Sequence, residues 1–375
     1  MFDGRFLSLS NAGLGRYTLE LLKALLPLDL KQKYILLVSP GTRFDKELSD
    51  AVCERTTPVE IVEVEVKHYS LAEQLKLLKI LRQLKPDLVH FPHFNHPLLY
   101  KGKFVVTIHD LTLSQYAERG SKVKRALYQK VITHAARKSQ RILTVSDYVK
   151  DDLVREFKVP RGKIITTHNG IDKKFVKITS ARTLKKVEKY GLVNPYILSV
   201  GQWREHKNLL RLLEAFAQIQ QNLKWKGKID LAFVGRDDPK YPRLKQKINE
   251  LKLGKSIKVT GFVEDEDLPA IYNCANLFVM PSLSEGFGLP GLEAQSCGVP
   301  VISSNKTCLP EIYGKGAIYF DPLSVEDMAE KIQEVLENKK LADELIIKGA
   351  ENAKKFTWEN TAEKTLAVYR EILYK

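Results

Sequence analysis

Glu285 and Glu293 stand on either side of a Gly-Phe-Gly-Leu-Pro-Gly turn in the stretch SLSEGFGLPGLEAQSCGVPVISSNKTCLPE, residues 282–311. A helix that starts after a glycine turn has unpaired backbone N–H groups and a dipole that draws anions, so a phosphate belongs there. A carboxylate beside a phosphate is repelled by it and only accepts hydrogen bonds, which suits the vicinal hydroxyls of a sugar. Taken singly, each acid has a plainer reading: Glu293 as a helix N-terminal charge, Glu285 as a solvated loop acid. Lys207, in the string GQWREHKN at 201–208, offers a cation to a diphosphate leaving group, or is a solvated loop lysine. His109, followed by Asp110, ends a strand. It reads either as a donor to a sugar hydroxyl whose tautomer Asp110 fixes, or as a structural histidine at a strand tip.

These residues need elements to hold them. Apolar runs at 277–280 and 299–303 read as buried parallel strands, with a helix from Gly291 to Ser296 between them, stopped by Gly298 and Pro300. Strands at 34–38, 59–66, 87–91, 103–108, 141–146 and 164–168, and again at 196–200, 230–234 and 257–262, alternate with helical stretches. Such alternation implies parallel, doubly wound sheets whose ligands lie beyond the strand carboxyl ends. A second glycine loop, Ser10-Asn11-Ala12-Gly13-Leu14-Gly15-Arg16, opens an amphipathic helix, or is a simple strand-to-helix turn. His90, Pro92, His93, Asn95 and His96 fall just after one strand and read as a polar acceptor pocket; their spacing does not suit zinc. A chain of 375 residues suggests two domains, with the turn Asn169-Gly170-Ile171-Asp172 and the polar, helix-prone stretch 173–194 joining them.

The string E-G-F-G-L-P-x-x-E-A, followed by G-x-P-V-I and L-P-E, resembles the donor-site signature of family 4 of the retaining glycosyltransferases, and the resemblance covers nearly all of the chain. It implies an α/β chain of GT-B fold, with two Rossmann-like doubly wound parallel-sheet domains facing a central cleft and a C-terminal helix crossing back to the N-terminal domain. The acceptor domain would take 1–175 and 357–375, the donor domain 176–356. By the resemblance, Glu285 contacts the donor sugar, the loop Gly286, Phe287, Gly288 and Leu289 holds sugar and phosphate, and Glu293 grips the ribose. Gly13, Gly15 and Arg16 would approach the donor phosphates and acceptor, and the V-x-x-I-H-D string places His109 beside the transferred sugar. The main chain at Phe262 and Val263 would cradle the base. Where many relatives carry arginine after the glycine, this chain has Gln202 after Gly201, so either Arg204 compensates or Lys207 and backbone amides hold the diphosphate. The loop after Gly201 and the H-F-P-H-x-N-x-P-L string are closest to mannosyltransferases using GDP-mannose, with UDP-glucose and UDP-N-acetylglucosamine open.

The net charge of +15 and pI near 9.4 call for an anionic partner, or for the lysine-rich surface of a heat-adapted protein. A nucleic-acid-binding protein would interleave exposed aromatics with its cations, and no such pattern is present. The cation-rich helix at 119–141 suits an anionic membrane surface, or a solvated face whose apolar side packs on the sheet. Four scattered cysteines, Cys53, Cys274, Cys297 and Cys308, read as reduced core thiols of a cytoplasmic protein, peripheral on the inner membrane face if the helix binds it. The opening MFDGRFLS has no signal-peptide core and reads as the end of a strand that is short or begins before Met1. No acidic pair of the D-x-D type stands in the cleft segments, so no metal or other cofactor is expected beyond the nucleotide-sugar donor. A GT-B epimerase or phosphorylase is the alternative enzyme class.

Overall fold

Short apolar runs rich in Val, Ile, Leu and Phe bury both faces of a strand, which is the condition of a parallel sheet covered by helices. The computed structural model of the chain describes residues 1–7, 12–66, 68–111, 122–178, 182–193, 195–222, 229–235 and 243–374. The chain divides into two compact units, Met1–Gly170 with Thr357–Lys375, and Ile171–Phe356.

The first unit holds β1 (Phe2–Asp3), β2 (Tyr34–Val38), β3 (Val59–Glu63), β4 (Val89–Phe91), β5 (Phe104–Ile108), β6 (Arg141–Thr144) and β7 (Ile164–Thr166), in the order β3-β2-β1-β4-β5-β6-β7 with every pair parallel. The helix Ala12–Leu28 sends Leu21, Leu22, Leu25 and Leu26 into a core shared with Trp358, Ala362, Leu366 and Tyr369 of the last helix, Trp358–Tyr374. In the helix Lys122–Lys138, Ile132, Ala135 and Ala136 are buried, and Tyr128 and Val131 pack on the same core. Its apolar face is therefore used inward; residues 119–121 of the basic stretch lie outside the described residues.

The second unit holds β8 (Tyr196–Val200), β9 (Asp230–Val234), β10 (Ile257–Gly261), β11 (Leu277–Met280), β12 (Val301–Ser304) and β13 (Ala317–Phe320), ordered β10-β9-β8-β11-β12-β13 and all parallel. The stretch 173–194, read as a helix-prone connection, holds one described helix, Arg182–Glu188, and is docked on this unit. Phe175 packs edge-on to Tyr272 with ring centroids 5.6 Å apart, and Ile178 N–H donates to Asn273 Oδ1 at 2.6 Å. Its polarity hid these two anchors. Of the cysteines, Cys297 and Cys308 are buried, Cys274 is half-buried and Cys53 is exposed, so the core-thiol expectation fails at Cys53, which ends a helix at the surface.

The histidines expected to line an acceptor pocket divide. His90 lies within β4, its Nε2 2.8 Å from Thr107 Oγ1 and its Nδ1 against the Tyr369 hydroxyl of the last helix. His96 joins Phe94 O and His134 Nδ1, each at 2.9 Å. Both are structural, because strand geometry turns His90 inward and Phe104 stacks on His96. Burial pushes their pKa values down, to about 3 for His90 and about 4 for His96, from an ordinary 6.5. A depressed histidine contributes stability above its unfolded pKa and loses it as pH falls, since only the unfolded chain takes up the proton. Below pH 6.5 each should cost about 1.4 kcal/mol per pH unit until the folded value is reached. Urea unfolding at about pH 7 and about pH 5 should show this loss, and a His90→Gln variant should show a shallower one. An equal slope in the variant would contradict the assignment.

Candidate active site

In a doubly wound sheet the crevice opens where the strand order reverses. In the second unit that place lies between β8 and β11, and the loops leaving these two strands carry Lys207 and Glu285. Lys207 Nζ donates to Glu285 Oε1 at 2.6 Å, and Ser282 Oγ donates to the same oxygen at 2.6 Å. The backbone of Glu285 is held as well, its N–H by Thr307 Oγ1 at 3.2 Å and its carbonyl by Cys308 Sγ at 3.3 Å. Burial opposes ionisation of Glu285, yet the Lys207 charge and the bonds from Lys207 and Ser282 outweigh it and hold its pKa below the ordinary range. At neutral pH it is a carboxylate, an acceptor only.

The Lys207 loop is built for this position. Gly201, at φ 151°, leaves β8 and packs so closely on Gly235 that a Cβ on the latter would lie 2.1 Å from Gly201 O. Asn208, in the left-handed conformation at φ 58°, sends its Nδ2 to Pro281 O at 3.1 Å and to Pro322 O at 2.7 Å, and His206 O accepts Leu283 N–H at 2.7 Å. The loop after β8 is thus laced to the loop after β11. Arg204 is exposed, at the start of the short turn Glu205–Lys207.

After Glu285 the chain turns through Gly288 at φ 84° into the helix Leu289–Ser296. It begins two residues before the expected start because Pro290 is tolerated in a first turn, where its missing N–H would be unpaired anyway. Gly286, Phe287 and Gly288 are buried, and the Phe287 ring packs on Phe356 with centroids 5.8 Å apart, so its side chain belongs to the core. Glu293 falls in the second turn, not the first, and is 2% exposed, with Oε2 accepting the Tyr272 hydroxyl at 2.7 Å. A buried, bonded carboxylate is not a solvated helix-end charge. Phe262 is exposed and Val263 half-buried, directly after β10.

In the first unit, His109 leaves β5 with Nε2 2.8 Å from Pro92 O. A carbonyl only accepts, so the proton sits on Nε2 and Nδ1 is the acceptor of the neutral ring. Pro92, rather than the expected Asp110, accepts that proton. Burial lowers the pKa of His109 against the opposing effects of Pro92 O and Asp110. Tyr17 lies edge-on to His109 at 4.5 Å, which brings the helix Ala12–Leu28 beside it. Gly13, Gly15 and Arg16 lie in that helix's first turns and not in a loop, since the helix starts at Ala12; Ser10 and Asn11 lie outside the described residues. At the end of β1, Arg5 is buried between Asp3 at 2.7 Å and Glu73 at 2.9 Å, and Glu73 also takes Tyr69 N–H at 2.7 Å and Asn95 Nδ2 at 2.8 Å. This hub ties three strand-end loops together, and nothing in the spacing of Asp3, Arg5 and Glu73 signals it. Ser282, Thr307, Asn208 and Tyr272 were likewise missed as partners, although Asn208 stands in the K-N-L string.

Two doubly wound parallel sheets with laced loops at their carboxyl ends define a GT-B protein. The family profile "Glycosyltransferase Family 4" matches residues 12–175 and "Glycosyl transferases group 1" matches residues 182–352. The O-antigen chain mannosyltransferase B of Escherichia coli is 31% identical over 308 residues, covering 81% of this chain and 80% of that protein. The chain belongs to this glycosyltransferase family. Among solved structures, the sucrose-phosphate synthase of Thermosynechococcus elongatus superposes with a TM-score of 0.79 at 20% identity, covering 100% of this chain and 98% of the other. Anabaena HepE, in complex with UDP and glucose, gives 0.77 at 18% identity over 99% and 98%. These two share the fold.

Proposed function

We propose that this glycosyltransferase moves mannose from GDP-mannose to an acceptor hydroxyl in the assembly of a cell-surface polysaccharide or glycolipid, with retention of configuration and without a metal. The observation that carries the reading is the Lys207–Glu285 pair at the switch point. Cleaving a glycosyl-phosphate bond releases a diphosphate, whose growing negative charge needs a fixed cation. Lys207 meets that need, with the Gly201 and Gly288 turns placing backbone N–H groups nearby. Glu285, kept ionised, accepts from hydroxyls of the mannosyl ring, and Glu293, with its rotamer fixed by Tyr272, accepts from the ribose. The mannosyl donor and the polysaccharide acceptor rest on the similarity to the O-antigen chain mannosyltransferase of Escherichia coli; the guanine base rests on the loop after Gly201 and the H-F-P-H-x-N-x-P-L string.

A thermal-shift panel of GDP-, UDP- and ADP-sugars tests this. GDP-mannose should raise the melting temperature with chelator present, and Glu293→Ala should abolish the shift. A UDP-sugar response alone would replace the donor, and a flat panel would remove the reading.

A further inference from the structure

Six non-glycine residues have positive φ among the described residues. Lys85, Lys158 and Lys252 follow helix ends, where a left-handed residue closes the last turn, and Asn208 is of a type that tolerates the conformation. Thr307, at φ 57°, alone among the six is β-branched, and branching at Cβ makes the left-handed region costly. Such strain persists only where the surroundings hold it, and it gathers at working sites.

Thr307 lies in the turn from β12 into the helix Leu309–Tyr313, and β12 is the neighbour of β11, whose loop carries Glu285. Met280 of β11 is in register with Ser303 of β12, so the two loops leave the sheet side by side. Thr307 Oγ1 accepts the Glu285 N–H at 3.2 Å, and Cys308 Sγ donates to the Glu285 carbonyl at 3.3 Å. Successive side chains of an extended chain point to opposite sides. Two neighbours can grip the peptide groups of one residue only where the chain turns sharply between them, and the left-handed Thr307 is that turn. It is fixed from both sides: Lys306 N–H donates to Ser304 Oγ at 3.1 Å, and Ile312 N–H donates to Cys308 O at 2.9 Å.

We infer that Thr307 is a positioning residue for Glu285: its hydroxyl holds the main chain there, so the carboxylate is already aimed and needs no ordering when the donor arrives. The inference rests on the donor-site role given to Glu285 above. A carboxylate on a loop is aimed by its own rotamer and by the φ and ψ of its residue. Ser282 and Lys207 fix the first, each at 2.6 Å, while Thr307 and Cys308 fix the second. A glycine at 307 would take the same φ without strain but would supply no hydroxyl, so the strain is kept for the site and not for the fold.

Three variants separate the hydroxyl from the branch. Thr307→Ser keeps the hydroxyl, Thr307→Val keeps the branch without the hydroxyl, and Thr307→Gly removes both. With GDP-mannose, Thr307→Ser should retain kcat/KM within about threefold of the parent, while Thr307→Val and Thr307→Gly each lose about tenfold. Thr307→Gly should nevertheless melt about 2–4 °C above Thr307→Val, because glycine relieves the strain that valine keeps. A merely structural role would make activity follow stability, and here the two part. Amide hydrogen exchange requires no donor: the Glu285 N–H should exchange about tenfold faster in Thr307→Val and Thr307→Gly than in the parent, and at the parental rate in Thr307→Ser. Parental kcat/KM in Thr307→Gly, a Thr307→Ser as impaired as Thr307→Gly, or unaltered exchange at Glu285 in both hydroxyl-free variants would overturn the inference. So would a Thr307→Gly that melts no higher than Thr307→Val. A parent inert toward every nucleotide sugar would instead remove the donor reading, and exchange at Glu285 would then decide whether Thr307 holds it.

Discussion

Lys207→Ala is expected to lower kcat at saturating donor by about 10²- to 10³-fold, the loss typical of removing one preorganised group from a developing negative charge. Two features of the site support so large an effect. The ammonium is already placed, by Asn208 and the bond from Leu283 to His206, so no ordering is needed when the diphosphate separates. It is also held on the half-buried Glu285 carboxylate, which is left without its counter-charge in the variant. Lys207→Arg should recover part of the rate, since it restores charge without the same reach. Steady-state kinetics with GDP-mannose decide the point: a variant that changes only KM would make Lys207 a binding residue with no part in bond cleavage.

Glu285→Gln keeps the size of the side chain and removes its charge. It should lower kcat/KM by about 10- to 10²-fold, as expected when a hydrogen bond to a charged group, worth about 1.5–3 kcal/mol, is lost from the sugar. The pair must also be tested together. Because Lys207 and Glu285 share one bond, the double variant should fall well short of the product of the single effects. Multiplicative losses would mean that the two act on separate parts of the donor. The same substitution has a pH signature in stability. Glu285 ionises below its ordinary 4.5 in the folded protein, so its contribution is complete above about pH 5 and is lost as pH falls through the depressed value. The acid limb of unfolding in Glu285→Gln should be flatter than in the parent.

The signature loop and its flanking strands are legible in the sequence because each is a local matter. The apolar run of β11, the glycine needed at φ 84°, and the proline of a first turn are dictated by residues a few positions apart. The same holds for the alternation that predicts two parallel sheets, since the period of the apolar residues is fixed by strand and helix geometry. Partners distant in sequence are another matter. The sequence offers Lys207 and Glu285 as separate donor-site candidates, and only the order β8-β11 makes them neighbours. It offers His90 and His96 as pocket residues, and only the packing of Tyr369 and Phe104 makes them core.

Composition and spacing by themselves determined most of the strands, though not β13, the glycine turn at Gly288, though not one at Gly13 and Gly15, and the residues able to do chemistry, because backbone preference and side-chain type act within a few residues. Tertiary structure alone decided which of those residues are ionised, buried or paired. It paired Glu285 with Lys207, gave Glu293 to Tyr272, moved the tautomer of His109 to Pro92, and left Leu71 and Leu75 outside while drawing the apolar side of the basic helix inward. Charge state and exposure depend on neighbours supplied by other strands and helices, and those neighbours exist only once the sheets are formed.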